Sequence, residues 1–102
     1  MNSASAQLPK LVAEKEKAVF QIICYDEYGT VDATGTGFFI DAKGTALSAL
    51  HVLSDAKYAY IKDYKGNEYR IKSINRVNED CDLVEFSVYA PAIKFPFISI
   101  SD

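Results

Sequence analysis

The sequence lacks long apolar runs, a strong net charge and any dense set of cysteines. Its uninterrupted apolar segments are short, whereas a membrane-spanning helix needs about 18 or more apolar residues in a row, so no membrane span is predicted. The 11 basic and 14 acidic residues leave a net charge of -3, which argues against binding to nucleic acid or another polyanion. Cys24 and Cys81 are too few and too far apart for a disulfide scaffold or a CxxC zinc site, and they leave the redox compartment undecided.

The N-terminal residues leave the cellular location open. Ala4, Ser5 and Ala6 resemble the small-residue end of a secretory signal, but the apolar segment that normally precedes it is missing. One interpretation is the relic of a trimmed signal, which would favour the bacterial periplasm or secretion. The other is a flexible leader.

The residues that are present favour β-structure. Val and Ile number 16 against six Leu, and the aromatic residues are seven Tyr and six Phe with no Trp, a bias typical of pleated, half-buried surfaces. At 102 residues the chain has room for one domain. A short helix is predicted first, because Leu8, Leu11 and Val12 have helical spacing. Six strands follow, at residues 19–24, 35–41, 45–49, 58–62, 68–77 and 82–88.

The segments between and beyond the strands also carry signals. The polar stretch 25–34 predicts a loop, and Gly44 predicts a tight hairpin between the second and third strands. Apolar positions in the fifth strand change phase between Ile71 and Ile74, which predicts a bulge. Six short strands that close on themselves form a small barrel. We therefore predict a leader and helix at 1–17, an all-β six-stranded barrel at 18–90, and an apolar tail or linker at 91–102.

His51 and Asp82 are the candidate site residues. His51 is the only histidine and follows the third predicted strand, and Asp82 opens the last one. A carboxylate beside a histidine can accept the Nδ1 proton and fix the tautomer, so that Nε2 can take a proton from a nucleophile. The plainer alternatives are a surface histidine and an aspartate that only caps a helix or ends a strand.

Three segments resemble the first half of trypsin-like serine proteases, especially those of the bacterial HtrA or Deg type. They are Gly35 to Asp41, Gly44 to Val52 and Asp82 to Phe86, and they occur in the right order with the right gaps. The resemblance covers roughly residues 18 to 89, and it implies a Greek-key barrel with a short N-terminal helix. It also implies that His51 is the general base and Asp82 its orienting carboxylate.

The sequence departs from this family at the nucleophile. The family's serine lies in a Gly-x-Ser-Gly-Gly segment of a second barrel, but no glycine follows Gly66 here. None of the eight serines has such flanking glycines, so Ser99 and Ser101 are interpreted as ordinary polar residues. The chain is therefore expected to be an N-terminal barrel that is inactive without its C-terminal partner. The parent's substrate would be a protein or peptide, and no cofactor or metal is implied.

The sequence also leaves room for functions of other classes. A stand-alone barrel derived from a protease could serve as an interaction or assembly module, and small barrels of the OB type bind single-stranded nucleic acid. Acidic neighbours interrupt the basic residues of strands four and five, which favours solvated outer faces over a nucleic-acid site.

A dinucleotide-binding fingerprint is absent, because Ile40 occupies the position where the motif needs glycine. A metal site built from Cys24, Cys81, His51 and Asp82 is disfavoured, because only one histidine and two isolated cysteines are present.

The tail predicts association. A half-enzyme should expose an apolar face edged by His51 and crossed by Phe95, Phe97, Ile98 and Ile100, and exposed patches of that kind usually find a partner. A homodimer with packed or exchanged tails is expected. The alternative is a tail that folds over its own barrel and leaves a monomer.

Overall fold

The structure is an antiparallel barrel. A computed structural model describes residues 15–54, 56–90 and 92–100. The described residues form six strands and one short helix, in the order β1 (Val19–Tyr25), β2 (Val31–Phe39), β3 (Thr45–Ala49), α1 (Leu50–Leu53), β4 (Tyr58–Lys62), β5 (Glu68–Asn78) and β6 (Leu83–Val88). Around the closed barrel the strands follow the order β1-β2-β3-β6-β5-β4. The predicted all-β six-stranded barrel is confirmed, and the helix predicted around Leu8 to Val12 lies outside the described residues.

Alternating residues of the strands fill the barrel. On β6, Val84, Phe86 and Val88 are buried, as the pattern predicts, and the buried residues of β1 alternate in the same way. Phe20 packs against Phe39 with ring centroids 4.8 Å apart and against Phe86 at 6.0 Å. A six-stranded barrel is narrow enough for such side chains to fill it completely. Its interior is therefore a packed core, and function must lie at its ends or on its outer surface.

The start of β2 differs from the prediction. The strand begins at Val31 and ends at Phe39, whereas the sequence pattern placed it at 35–41. Residues 31–34 are all exposed, and only Val31 and Ala33 among them are apolar, yet they pair with the end of β1. The loop is only a tight turn, in which the Asp26 carboxylate accepts hydrogen bonds from the backbone N–H groups of Tyr28 and Thr30. Backbone pairing across that turn extends the strand.

The predicted bulge in β5 is confirmed. The register between β5 and β6 shifts between Ile71 and Ser73, and it shifts again between Ile74 and Arg76. The two shifts keep Ile74 and Val77 opposite Phe86 and Val84, the buried residues of β6, although Ile74 and Val77 themselves stay about half exposed. Apolar side chains therefore remain accessible on β5, at Ile74 and Val77, and at the start of β6, at Leu83.

The tail packs on its own barrel at Phe95. This side chain is 5% exposed, and its ring stacks on Phe39 at 4.2 Å and meets Tyr69 edge-on at 5.2 Å. Its backbone N–H donates to the carbonyl of Ala42 at 3.0 Å, next to the start of β3, whereas His51 follows the end of β3. The expectation that Phe95 crosses an exposed face beside His51 is therefore wrong, because the open end of the barrel accepts its ring. Phe97 and Ile100 remain exposed.

Candidate active site

His51 lies where β3 turns into α1. Ala49 keeps an extended backbone, and the helix Leu50–Leu53 follows directly. Leu50, Val52 and Leu53 pack against the core, so the helix directs His51, the remaining residue of its turn, toward solvent. The His51 side chain is 74% exposed. The histidine is thus presented at the surface by apolar neighbours that are held in the barrel.

Asp82 is placed by the pairing of β3 with β6. Ala49 pairs with Leu83, which brings residue 82 beside the start of α1, and the backbone N–H of Leu50 donates to the carbonyl of Asp82 at 2.9 Å. Asp82 has a positive φ of 52°, a conformation that is uncommon outside glycine but that aspartate adopts more readily than most residues. This backbone conformation precedes β6 and turns the carboxylate toward His51.

The two candidate residues are in direct contact, across 31 positions of sequence. Asp82 Oδ2 is hydrogen-bonded to His51 Nδ1, and Asp82 Oδ1 accepts a hydrogen bond from the backbone N–H of His51 at 2.8 Å. The predicted juxtaposition of His51 and Asp82 is therefore confirmed. Each carboxylate oxygen has its own donor, so the carboxylate is held at two points relative to the imidazole.

This contact determines the charge of Asp82 and the chemistry open to His51. The hydrogen bond with the His51 side chain is the largest effect on the pKa of Asp82 and lowers it; desolvation opposes this, and the backbone N–H and the charge of His51 make smaller contributions that lower the pKa further. Asp82 is therefore a carboxylate at neutral pH. A neutral imidazole that donates from Nδ1 has its lone pair on Nε2. The exposed side of the ring can accept a proton from a group brought to it.

No such group is present among the described residues. The hydroxyl of Ser54 donates to the backbone carbonyl of His51 at 3.3 Å rather than to the ring, and Ser48 is buried in the barrel. Ser99 is exposed on the tail, and Ser101 lies outside the described residues. In the described part of the chain, no serine, threonine or cysteine side chain is hydrogen-bonded to the imidazole.

The surface around the pair is open. A depression of about 700 Å³ lies at the other end of the barrel, lined by apolar residues of β6 and the tail together with Lys43, Lys72 and Lys94. A second depression, of about 580 Å³, lies between β4 and β5. Neither His51 nor Asp82 lines either of them. Another surface must cover this pair if substrate is to be enclosed there.

The two cysteines do not join the site. Cys24 is buried on β1 and Cys81 is exposed, and both are free. Burial raises the pKa of the Cys24 thiol, and the charge of Asp32 adds to the effect, so Cys24 is a protonated thiol. No group of three or more His, Cys, Asp or Glu side chains able to hold a metal ion occurs in the described ranges. In the same part of the chain, no helix has the length and apolar character needed to cross a membrane.

Sequence reasoning missed the residues that hold α1 from the side opposite Asp82. Cys24 and Gly35 both contact Val52, the residue that follows His51. A glycine inside a strand, away from any turn, signals a close approach of another part of the chain. Gly35 carried that signal, although nothing in the sequence identified Val52 as its neighbour.

Comparison with known proteins adds no identity to this geometry. A scan against known protein families finds no match to the chain, and a search of curated proteins finds none either.

Proposed function

We propose that this chain is the N-terminal barrel of a trypsin-like serine endopeptidase, and that it supplies the general base His51 and its orienting carboxylate Asp82. The observation that carries the proposal is the two-point contact of the Asp82 carboxylate with the ring and the backbone N–H of His51. A histidine that is merely exposed on the surface needs no such arrangement. A base that must keep one tautomer while its ring is exposed does.

The strand order supports the assignment to this family. β4 lies beside β1, so four strands follow the order β4-β1-β2-β3, which is the spatial order of a Greek key. The base follows β3 and the carboxylate precedes β6, as the resemblance to the HtrA or Deg type implies. Three independent features therefore agree: the motif residues, the topology and the hydrogen bonds of the pair.

In the proposed reaction His51 acts first as a base and then as an acid, in each of two half-reactions. Its Nε2 takes the proton from a serine hydroxyl of the second barrel as the serine oxygen attacks the carbonyl carbon of a peptide bond. The imidazolium, stabilised by the Asp82 carboxylate, then gives that proton to the leaving amine, and an acyl-enzyme forms. His51 then takes a proton from a water molecule as the water oxygen attacks the ester of the acyl-enzyme, and it returns that proton to the serine oxygen as the acid product leaves. The second barrel would provide the serine, the donors for the oxyanion and the substrate pocket.

The test begins with the coding sequence. We expect it to continue past Asp102 into a Gly-x-Ser-Gly segment, and we expect the complete product to hydrolyse casein. His51→Ala should abolish turnover, and Asp82→Asn should lower kcat about 10⁴-fold because the imidazole loses its fixed tautomer. Asp80→Asn, which removes an exposed charge two residues away, is the matched control and should leave kcat unchanged.

The chain 1–102 should have no peptidase activity, because it has a base and a carboxylate without a nucleophile or oxyanion donors. Two results would contradict the proposal. One is casein hydrolysis by the complete product that survives His51→Ala. The other is turnover by residues 1–102 alone that disappears in His51→Ala, which would place a nucleophile within this chain.

A second candidate is an interaction module that binds another copy of this chain. It is favoured by apolar side chains at the end of the β5–β6 hairpin, where Val77 is 51% and Leu83 40% exposed. Light scattering coupled to size exclusion, at high micromolar concentration, tests for the dimer. Leu83→Lys should dissociate it, whereas Tyr28→Lys, an exposed aromatic position in the β1–β2 turn, should not. A monomer at every concentration would exclude this candidate.

A further inference from the structure

The orientation of His51 must be imposed from outside its own helix. α1 has four residues, and an isolated helix of that length is not stable in water. The imidazole is largely exposed, and its one hydrogen-bonded partner among the described side chains is Asp82. The position of the ring therefore follows from whatever holds the backbone of α1. Asp82 holds it from the β6 side, through its carbonyl and its carboxylate.

Gly35 meets α1 from the β2 side. A Cβ atom added to Gly35 would lie 2.6 and 2.7 Å from the two methyl carbons of Val52 and 3.2 Å from its Cβ. Real Cβ contacts are essentially never that short, so Val52 occupies the space that any other residue at position 35 would need. The φ of Gly35 is not positive. The glycine is therefore required for the close approach of Val52 and not for its backbone conformation.

Cys24 provides a second contact on the same side. Its thiol lies 3.3 Å from the backbone carbonyl of Val52 and donates a hydrogen bond to it. Cys24 is fully buried on β1, and the raised pKa keeps its thiol protonated and able to donate. Val52 is thus fixed through its side chain by Gly35 and through its carbonyl by Cys24.

We propose that Gly35, assisted by Cys24, is a positioning residue that holds Val52 against β1 and β2 and thereby keeps the His51 imidazole aligned with Asp82. The alignment is catalytic only if the proposed function holds, and in that sense this inference rests on it. The positioning of His51 by Gly35 and Val52 does not depend on the proposed function. Moving Val52 away from β2 moves the backbone of His51, which is bonded to it, while Asp82 stays with β6.

The test measures the pKa of Asp82 by NMR titration of its carboxyl carbon in the 102-residue chain. His51→Ala sets the value for complete loss of the side-chain hydrogen bond. Gly35→Ala should raise the pKa of Asp82 by at least half of the difference between wild type and His51→Ala, because the new Cβ displaces Val52. A residue that matters only for folding would lower stability without this change in the folded protein.

Gly37→Ala is the matched control. A Cβ there would lie 2.7 Å from the Leu47 carbonyl oxygen and from two atoms of the Phe20 ring, so the clash is equally severe but lies in the barrel and not against α1. The pKa of Asp82 should stay at the wild-type value in folded Gly37→Ala. The proposal is overturned if folded Gly35→Ala leaves this pKa unchanged, or shifts it no more than Gly37→Ala does.

If Gly35→Ala does not fold, Val52→Ala decides. It removes the two methyl groups and adds no clash, so α1 should loosen and the pKa of Asp82 should rise. In the double variant Gly35→Ala with Val52→Ala, the new methyl fills the space that was vacated, and the pKa should return toward the wild-type value. A double variant with the same pKa as Val52→Ala would overturn the proposal.

The proposed function and the role of Gly35 can be refuted independently of each other. The titration needs no substrate and no second barrel, so a complete product without peptidase activity would remove the proposed function and leave the positioning result standing. Conversely, an active product in which Gly35→Ala shifts neither the pKa of Asp82 nor kcat would remove only the role of Gly35.

Discussion

Replacement of Phe95 by alanine tests whether the tail belongs to this barrel. The ring is buried and stacks on Phe39 with an interplanar angle of 22° while it meets Tyr69 edge-on. Two tail hydrogen bonds flank it: the N–H of Phe95 donates to Ala42, and that of Ile98 donates to Phe39. Removal of the ring therefore takes away both an anchor of the tail and the cover of one end of the core.

The expected loss in free energy of unfolding is about 3 kcal/mol. Buried Phe→Ala substitutions cost about 3 to 5 kcal/mol, and the lower end applies here because a chain terminus can move away from the void. With a urea m-value of about 1.5 kcal/mol per M, the unfolding midpoint should fall by about 2 M. For a small domain this is a large share of a total stability of about 5 to 15 kcal/mol.

Phe97→Ala is the control on the same tail. Phe97 is 42% exposed, so its removal should cost less than about 1 kcal/mol. Urea unfolding followed by circular dichroism measures both variants, at two protein concentrations a hundredfold apart. Equal and small effects of the two substitutions would refute the docking of Phe95. A midpoint that rises with wild-type concentration would show instead that the tail is shared between two copies.

Three further predictions concern other parts of the barrel. Cys81 should react with a thiol reagent in the native chain within seconds. Cys24 should react only on unfolding, because burial both shields the Cys24 thiol and raises its pKa. Rapid reaction of both thiols in the native chain would contradict this prediction. Gly44→Ala should lower the free energy of unfolding by about 2 to 3 kcal/mol, because the φ of Gly44 is +99° and a Cβ there would lie 2.8 Å from a neighbouring side chain. Gly29→Ala is the control and should cost only about 1 kcal/mol, because Gly29 has a φ of +79° but no atom within 4 Å of an added Cβ. Equal losses of stability in urea unfolding would be inconsistent with the packing at Gly44. Burial alone would raise the pKa of Asp41, but hydrogen bonds from the next turn lower it. Asp41→Asn should therefore reduce stability at pH 7, and the difference in stability from wild type should fade as the pH drops below about 4 and through the folded-state pKa. A difference in stability that is constant with pH would exclude a stabilising role of the charge.

The parts of the fold that the sequence predicted are those with local signals. β3 matches its predicted bounds because Gly44 marks its start and His51 follows the end of its alternation. The bulge after Ile71 could be predicted, because a change of phase in the apolar alternation of a strand has few other causes. The pairing of His51 with Asp82 was predicted from the type of the two residues and their places at strand ends, and the β3–β6 register brings them together.

The remaining features depend on contacts between distant residues. β2 extends to Val31 because its first residues, although exposed, pair with the end of β1. The place of Phe95 depends on the rings of Phe39 and Tyr69, which lie far away in sequence. The second hydrogen bond of Asp82 comes from a backbone N–H, and no sequence pattern reports which way a backbone amide points.

The most direct test of the central claim is the tautomer of His51, measured by nitrogen-15 NMR in the 102-residue chain at about pH 8.5, above the usual range of imidazole titration. Asp82 can hold the ring as a base only if the proton is on Nδ1 and the lone pair is on Nε2. We predict the Nδ1–H form in wild type and its loss in Asp82→Asn, with Asp80→Asn unchanged. A wild-type ring protonated on Nε2, or one whose tautomer is the same in Asp82→Asn, would contradict the assignment of His51 and Asp82 as a catalytic base and its carboxylate.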